Sequence, residues 1–394
     1  MSYTRRAFGK LALASPAAAV LGRESIFFGA FAPAKPNSLI DGVQIGTITY
    51  SYRSMTDQSA EATLKYLVDS GISAIELMGG PVESFAGAPS SGRGGGPGDG
   101  RGRGGRGPAA TERPQGAEAG PIPDGAQKGS WNGHECVIPA AAGAGGGVGG
   151  GSGRGRGRGE MTPEQQAAQQ DQAKKLRDWR TSVSMDAFKK LRKMYDDAGV
   201  MIYAWKQLSP NMSDEEFEYI FNVAEALGCT HTTLELPTDS AQLKRIGDFA
   251  MKRKIYAAYH THTQGSMTAF DQAFALSRGN MANVDFGHYV AAGNIGGSPM
   301  QFLQKYHDRI ASFHLKDRTT AEHCALNLPW GTGETPIKEI LQLVKKNKWK
   351  IPATIELEYD IPEGSDAVKE VRNCLEYCRR ALTGKSTTTE SRQA

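Results

Sequence analysis

KIYAAYHTHT, residues 254–263, is the stretch on which the fold turns. Its Ile255, Tyr256 and Tyr259 suit an extended, buried backbone, and it closes on His260 and His262, two positions apart and therefore on one face of a strand. An apolar strand with polar groups at its carboxyl end is half of a repeating plan. Seven other stretches follow that plan: VQIGTITYSY (43–52), ISAIELMG (72–79), VMIYAWKQ (200–207), THTTLELP (230–237), NVDFGHYV (283–290), IASFHLKD (310–317) and ATIELEYD (353–360). Each is bounded by turn residues or helical periodicity.

Helix signals lie between them. Ser213 with Glu216 forms a capping box, Ser298-Pro299 and Thr335-Pro336 each offer a cap followed by proline, and Gly199 and Gly228 stand where helices end. The β-then-α rhythm runs unbroken from residue 184 to about 382. Eight such units close a barrel, so the expected fold class is α/β, a (β/α)8 TIM barrel spanning 40–382. The break in rhythm is a disordered Gly/Arg-rich insertion expected over 86–160, after the second strand. Its tracts SSGRGGGPGDGRGRGGRG and AAAGAGGGVGGGSGRGRGRG bury too little apolar surface to offset chain entropy. WNGHEC (131–136) is the one local island within it. A helix is expected from Thr162, capped by Thr162 and Gln165, and residues 383–394 read as a flexible tail.

The chain has 394 residues and a formal net charge of +4, with much of its basic excess in the Gly/Arg tracts rather than on a structured face. Those tracts lack the interleaved aromatics of a single-strand binder, so no nucleic-acid partner is expected. Five cysteines without a CxxC pair indicate neither a zinc ribbon nor a complete disulfide framework. The opening MSYTRRAFGKLALASPAAAVLG has the paired arginines and short apolar run of a twin-arginine export signal. Residues 1–32 are therefore expected to be removed from a periplasmic or cell-envelope protein. No stable membrane insertion is expected afterwards, and an oligomer is compatible with the sequence.

In such a barrel the strand carboxyl ends converge on one site. The polar residues there are Glu76, Glu235, His260 with His262, Asp285 with His288, His314 with Lys316, and Glu356 with Glu358. Several carboxylates crowded at one mouth repel one another unless a cation sits among them. Mixed imidazole and carboxylate donors suit Mn²⁺, Zn²⁺, Co²⁺ or Fe²⁺. Lys316 has two roles open to it, oxyanion stabilisation or a pair with Asp317. Trp330, in LPWGTGETP, either stacks on a sugar ring or caps the core beneath its loop.

VDFGH, SFHLKD and ATIELEYD on the last three strands resemble the xylose isomerase-like TIM barrel superfamily, and within it the bacterial sugar phosphate isomerase/epimerase group. The resemblance implies a metal held by Asp285, His314 and Glu356, with His288 binding substrate or moving protons. On strand five the family carries Glu; here YHTH puts His260 in that place and looks like the YHNH variant of exported members. His260 and the neighbouring Glu235 complete the implied metal set, with Glu358, His288 and Lys316 as catalytic groups and His262, Trp330 and Glu76 against substrate. The implied activity is isomerisation or epimerisation of a non-phosphorylated small-molecule sugar by proton abstraction beside a carbonyl. The alternative is a lyase or dehydratase acting on a keto-sugar or 3-keto-glycoside. An endonuclease IV-like nuclease, which needs more histidines on earlier strands, and a non-catalytic sugar-binding barrel are the weaker readings.

Overall fold

The computed structural model describes residues 35–89, 126–131, 134–140 and 162–384. Eight parallel strands form its centre: β1 (Val43–Ile48), β2 (Ala74–Met78), β3 (Met201–Lys206), β4 (His231–Glu235), β5 (Tyr256–His260), β6 (Asn280–Asp285), β7 (Ile310–Leu315) and β8 (Ala353–Ile355). Each pairs with the next in parallel and β8 returns to β1, so the barrel is closed, as expected from the eight repeats. A two-residue strand, Leu39–Ile40, folds back antiparallel onto β1.

Helices cover the outside because each carries an apolar stripe. Ile337–Asn347 buries Ile337, Ile340, Leu341 and Val344, the i, i+3, i+4, i+7 spacing of one helical face. The caps read at Thr162, Ser213 and Ser298 are all present as reciprocal capping boxes. Thr335 is not a cap: its hydroxyl accepts the Arg318 N–H at 3.0 Å, and the helix begins at Ile337.

Two further departures bear on the site. The sixth strand stops at Asp285, and Phe286–Ala291 is helical, since the Asp285 carboxylate caps it by accepting the His288 N–H at 2.8 Å. Within the expected disordered span, Gln127–Trp131 and His134–Ile138 form an antiparallel hairpin. A Cys136–Cys324 disulfide ties it to the loop after β7, and Leu326 and Leu328 pack with the two cysteines. The disorder expected over 86–160 therefore does not extend to this hairpin. Residues 90–125, 132–133 and 141–160 of that span, the 1–32 leader and the tail from residue 385 lie outside the described residues, and Thr383, the expected start of the tail, ends the helix Ala367–Thr383. No helix among the described residues is long and apolar enough to cross a membrane.

Candidate active site and metal centre

Strand register places the donors together. His260 lies opposite Glu235 on one side and Asn283 on the other, while His314 lies opposite Asp285 and Thr354. Because side chains alternate along a strand, Asp285, two residues beyond Asn283, points to the same interior as His260 and His314. One donor atom from each of His260, Asp285, His314 and Glu356 lies within 4.8 Å of the others, and all four residues are buried.

His314 is the best-fixed member. Its Nε2 meets Glu76 at 2.8 Å and its Nδ1 meets Glu356 at 2.7 Å. Burial opposes charge on His314, but the carboxylates on both ring nitrogens outweigh it and push the pKa up to about 10. Burial likewise opposes ionisation of Glu76; His314, Lys206 and Thr233 together overcome it and hold the carboxyl down at about 2. Glu76 is fully buried and also accepts from Thr233 at 2.6 Å and Asn283 at 3.2 Å. It was expected against substrate. Fully enclosed under the donors, it instead orients His314, the arrangement that commonly backs a metal-ligating imidazole.

Lys316 is the buried counter-charge. Its ammonium stands 3.0 Å from Asp285, 2.9 Å from Glu356 and 2.7 Å from Glu358. Burial lowers its pKa, and the three carboxylates more than reverse that. Asp317 does not pair with it. Facing the other way along the strand, Asp317 accepts backbone N–H groups of Gly331 at 2.7 Å, Gly333 at 2.9 Å and Thr335 at 3.2 Å, and so shapes the following loop. Gly287 makes the close approach of helix and strand possible, because a Cβ there would lie 2.2 Å from Lys316 Cγ and 2.7 Å from the Lys316 carbonyl oxygen.

Two buried atoms at this point have no hydrogen-bond partner, His260 Nδ1 and Asp285 Oδ2. The Lys316 contact to the latter is an ion pair rather than an aligned hydrogen bond. Buried polar atoms are ordinarily satisfied, so the unpartnered His260 Nδ1 within an imidazole and carboxylate cluster fits a divalent cation. The donor types suit Mn²⁺, Zn²⁺, Co²⁺ or Fe²⁺ as the sequence implied. Burial, then Lys206 and His314, keeps His260 neutral, the form that ligates.

The remaining expected residues divide. Glu235 stands outside the four-donor group, held by Lys206 at 3.0 Å with His262 Nε2 3.8 Å away. His262 is at the mouth with 55% of its side chain exposed, and its ring centre is 4.8 Å from that of His288. Glu358 is also reachable, with 21% of its side chain exposed. Trp330 packs edge-on against Tyr377 at 5.8 Å and beneath its loop, the core role of the two left open for it. Arg318, Lys206 and Asn283 were missed. Arg318 donates to His288 Nδ1 at 2.6 Å; the alternation through His314 and Lys316 reaches it if carried one step further.

A model of the xylose isomerase-like TIM barrel family matches residues 177–378, more than half of the chain. The chain belongs to that family. No curated protein matches this xylose isomerase-like barrel. Among solved structures it is similar to a sugar phosphate isomerase/epimerase from Parabacteroides distasonis, at 15% identity and TM-score 0.48 over 85% of this chain and 95% of the other. The probable 3-DHS dehydratase AsbF of petrobactin synthesis from Bacillus anthracis matches at 12% and 0.48, over 84% and 97%. A xylose isomerase-like TIM barrel protein from Mycobacterium smegmatis, crystallised with magnesium, matches at 16% and 0.39, over 52% and 80%.

Proposed function

We propose that this barrel is a divalent-metal-dependent enzyme of isomerase/epimerase type that abstracts a proton beside the carbonyl of a non-phosphorylated sugar. The observation that carries the reading is the buried set His260, Asp285, His314 and Glu356 with the unpartnered Nδ1 of His260. A divalent ion held there would polarise the carbonyl and its neighbouring hydroxyl, acidifying the C–H between them. Glu358, partly exposed and held by Lys316, is positioned to take that proton, and Glu235 offers a second carboxylate at the mouth. Lys316 keeps the carboxylates from repelling one another, and Glu76 holds the His314 ring in place. His288 is neutral, because burial and then Lys316 and Arg318 disfavour its charged form, so it can give or accept a hydrogen bond with a sugar hydroxyl.

Against a phosphate group stands the use already made of the cations. Lys206, Lys316 and Arg318 are each engaged with groups of this chain. Elimination from a keto-sugar or 3-keto-glycoside is the second reading, and His260 supports it. With an imidazole where epimerases place a second glutamate, the site has a carboxylate base by Lys316 and a neutral histidine by Arg318, an asymmetric pair in which Glu358 would take the proton and return it to the leaving oxygen while His288 hydrogen-bonds that oxygen. Export also belongs to the proposal: a Cys136–Cys324 disulfide suits an oxidising compartment such as the periplasm.

The test is incubation of metal-loaded protein with D-fructose and with a 3-keto-glucoside in D₂O, with and without EDTA. Deuterium in recovered sugar supports isomerase or epimerase chemistry, and EDTA-sensitive aglycone release supports the lyase. Neither signal with either substrate class would count against the proposal.

A further inference from the structure

His288 touches two cations, and the shorter contact decides where its proton sits. Arg318 approaches Nδ1 at 2.6 Å and Lys316 Nζ approaches Nε2 at 3.2 Å. A guanidinium only donates, so Nδ1 must accept; a neutral imidazole has one acceptor, which leaves the hydrogen on Nε2. The Lys316 ammonium also only donates, but its contact is the longer of the two, and it has a closer acceptor in Glu358 at 2.7 Å and ion pairs with Asp285 and Glu356. His288 is only half-buried, so an Nε2–H there can reach a sugar hydroxyl.

Arg318 is in turn held by an unusual piece of backbone. It is 4% exposed, no carboxylate among the described residues pairs with it, and its second terminal nitrogen donates to the Ala325 carbonyl oxygen. Ala325 and Cys324 are consecutive left-handed residues without being glycine, at φ +48° and +66°. Such residues each cost on the order of 1–3 kcal/mol and persist where surroundings over-determine them. Here the surroundings are Thr319, which bonds both the His323 carbonyl and the Leu326 N–H at 2.7 Å, and the disulfide from Cys324 to Cys136 of the hairpin. The hairpin strand is closely fitted to this link: a Cβ on Gly129, paired with Cys136, would lie 2.7 Å from Cys324 Sγ.

We propose that Arg318 is a positioning residue that fixes His288 with Nδ1 as acceptor and Nε2–H free for substrate, and that the Cys136–Cys324 disulfide holds Arg318 in place through the left-handed Cys324–Ala325 turn. The insertion thus reaches the chemistry through a chain of contacts: hairpin, disulfide, turn, arginine, histidine. This rests on the catalytic place given to His288 above, but its test needs no turnover and can fail while that reading stands.

The measurement is the ¹⁵N spectrum of the histidine side chains in full-length oxidised protein, with the His288 ring assigned by its loss in His288→Gln. The ring is expected as a single Nε2–H tautomer. In Arg318→Gln, and in wild-type protein reduced by a phosphine, it is expected to become a mixture of both tautomers; reduction needs no substitution, and unchanged circular dichroism separates this from unfolding. An Nδ1–H ring in the oxidised protein, or an unchanged ring in both Arg318→Gln and reduced protein, overturns the proposal. A change in Arg318→Gln without one on reduction overturns the part assigned to the disulfide.

Discussion

His231 shows at the scale of one residue how the barrel interior is built. It is fully buried between Thr230 and Ser312, each 2.9 Å from one of its ring nitrogens, and burial lowers its pKa to about 4, with Glu76 opposing and His314 assisting. The ordinary value is about 6.5, so as pH falls the unfolded chain takes up this proton first. The stability it contributes is complete above pH 6.5 and is lost as pH falls to about 4, a change of about 3 kcal/mol. Urea denaturation of wild type and His231→Gln between pH 4 and 7 should show a shallower pH dependence in the variant; parallel curves would contradict this. At the same scale, period-two reading found His314 with Lys316 and Glu356 with Glu358. It did not separate Glu76, which backs His314, from residues that meet substrate, because depth along a barrel axis is set by register between strands.

Among elements, the contact of helix Phe286–Ala291 with the chain just after β7 is the exacting one at the site. Gly287 lies against the Lys316 backbone as well as its side chain, and a rotamer change cannot clear a carbonyl oxygen 2.7 Å from the new Cβ. Gly287→Ala is expected to destabilise by about 1–3 kcal/mol, as over-packing does, and to lower activity further by moving Lys316 and His288 apart. Unfolding midpoints and turnover of the variant check both, and wild-type values would refute the fit. Strands were legible because those of a parallel sheet, covered on both faces, read as apolar runs. The end of β6 was not: FGHYV has strand-forming composition, and the Asp285 cap that turns it into a helix depends on one side-chain bond. The disulfide was illegible for another reason, since it joins residues 188 apart among five cysteines whose pairing spacing does not fix.

Over the whole molecule, the closed barrel brings four strands' donors to one point, and charge balance makes that point a cation site. Five acidic side chains, Glu76, Glu235, Asp285, Glu356 and Glu358, surround it; Lys206 and Lys316 offset them only in part, and a bound cation would take the place of the proton that Glu76 and Glu356 hold on His314. A ligand that binds only the folded protein at a hundredfold excess over its dissociation constant stabilises by about 3 kcal/mol, so the ion is visible in stability as well as in activity. Calorimetric titration of EDTA-stripped, full-length protein with MnCl₂ and with ZnCl₂, followed by thermal melting, addresses this most directly. One ion is expected to bind per chain with at least one of these metals, with a melting temperature that rises on loading and binding at least ~10-fold weaker in Asp285→Asn, which removes a ligand charge. No binding by wild type, or equal affinity in the variant, would contradict the cation site.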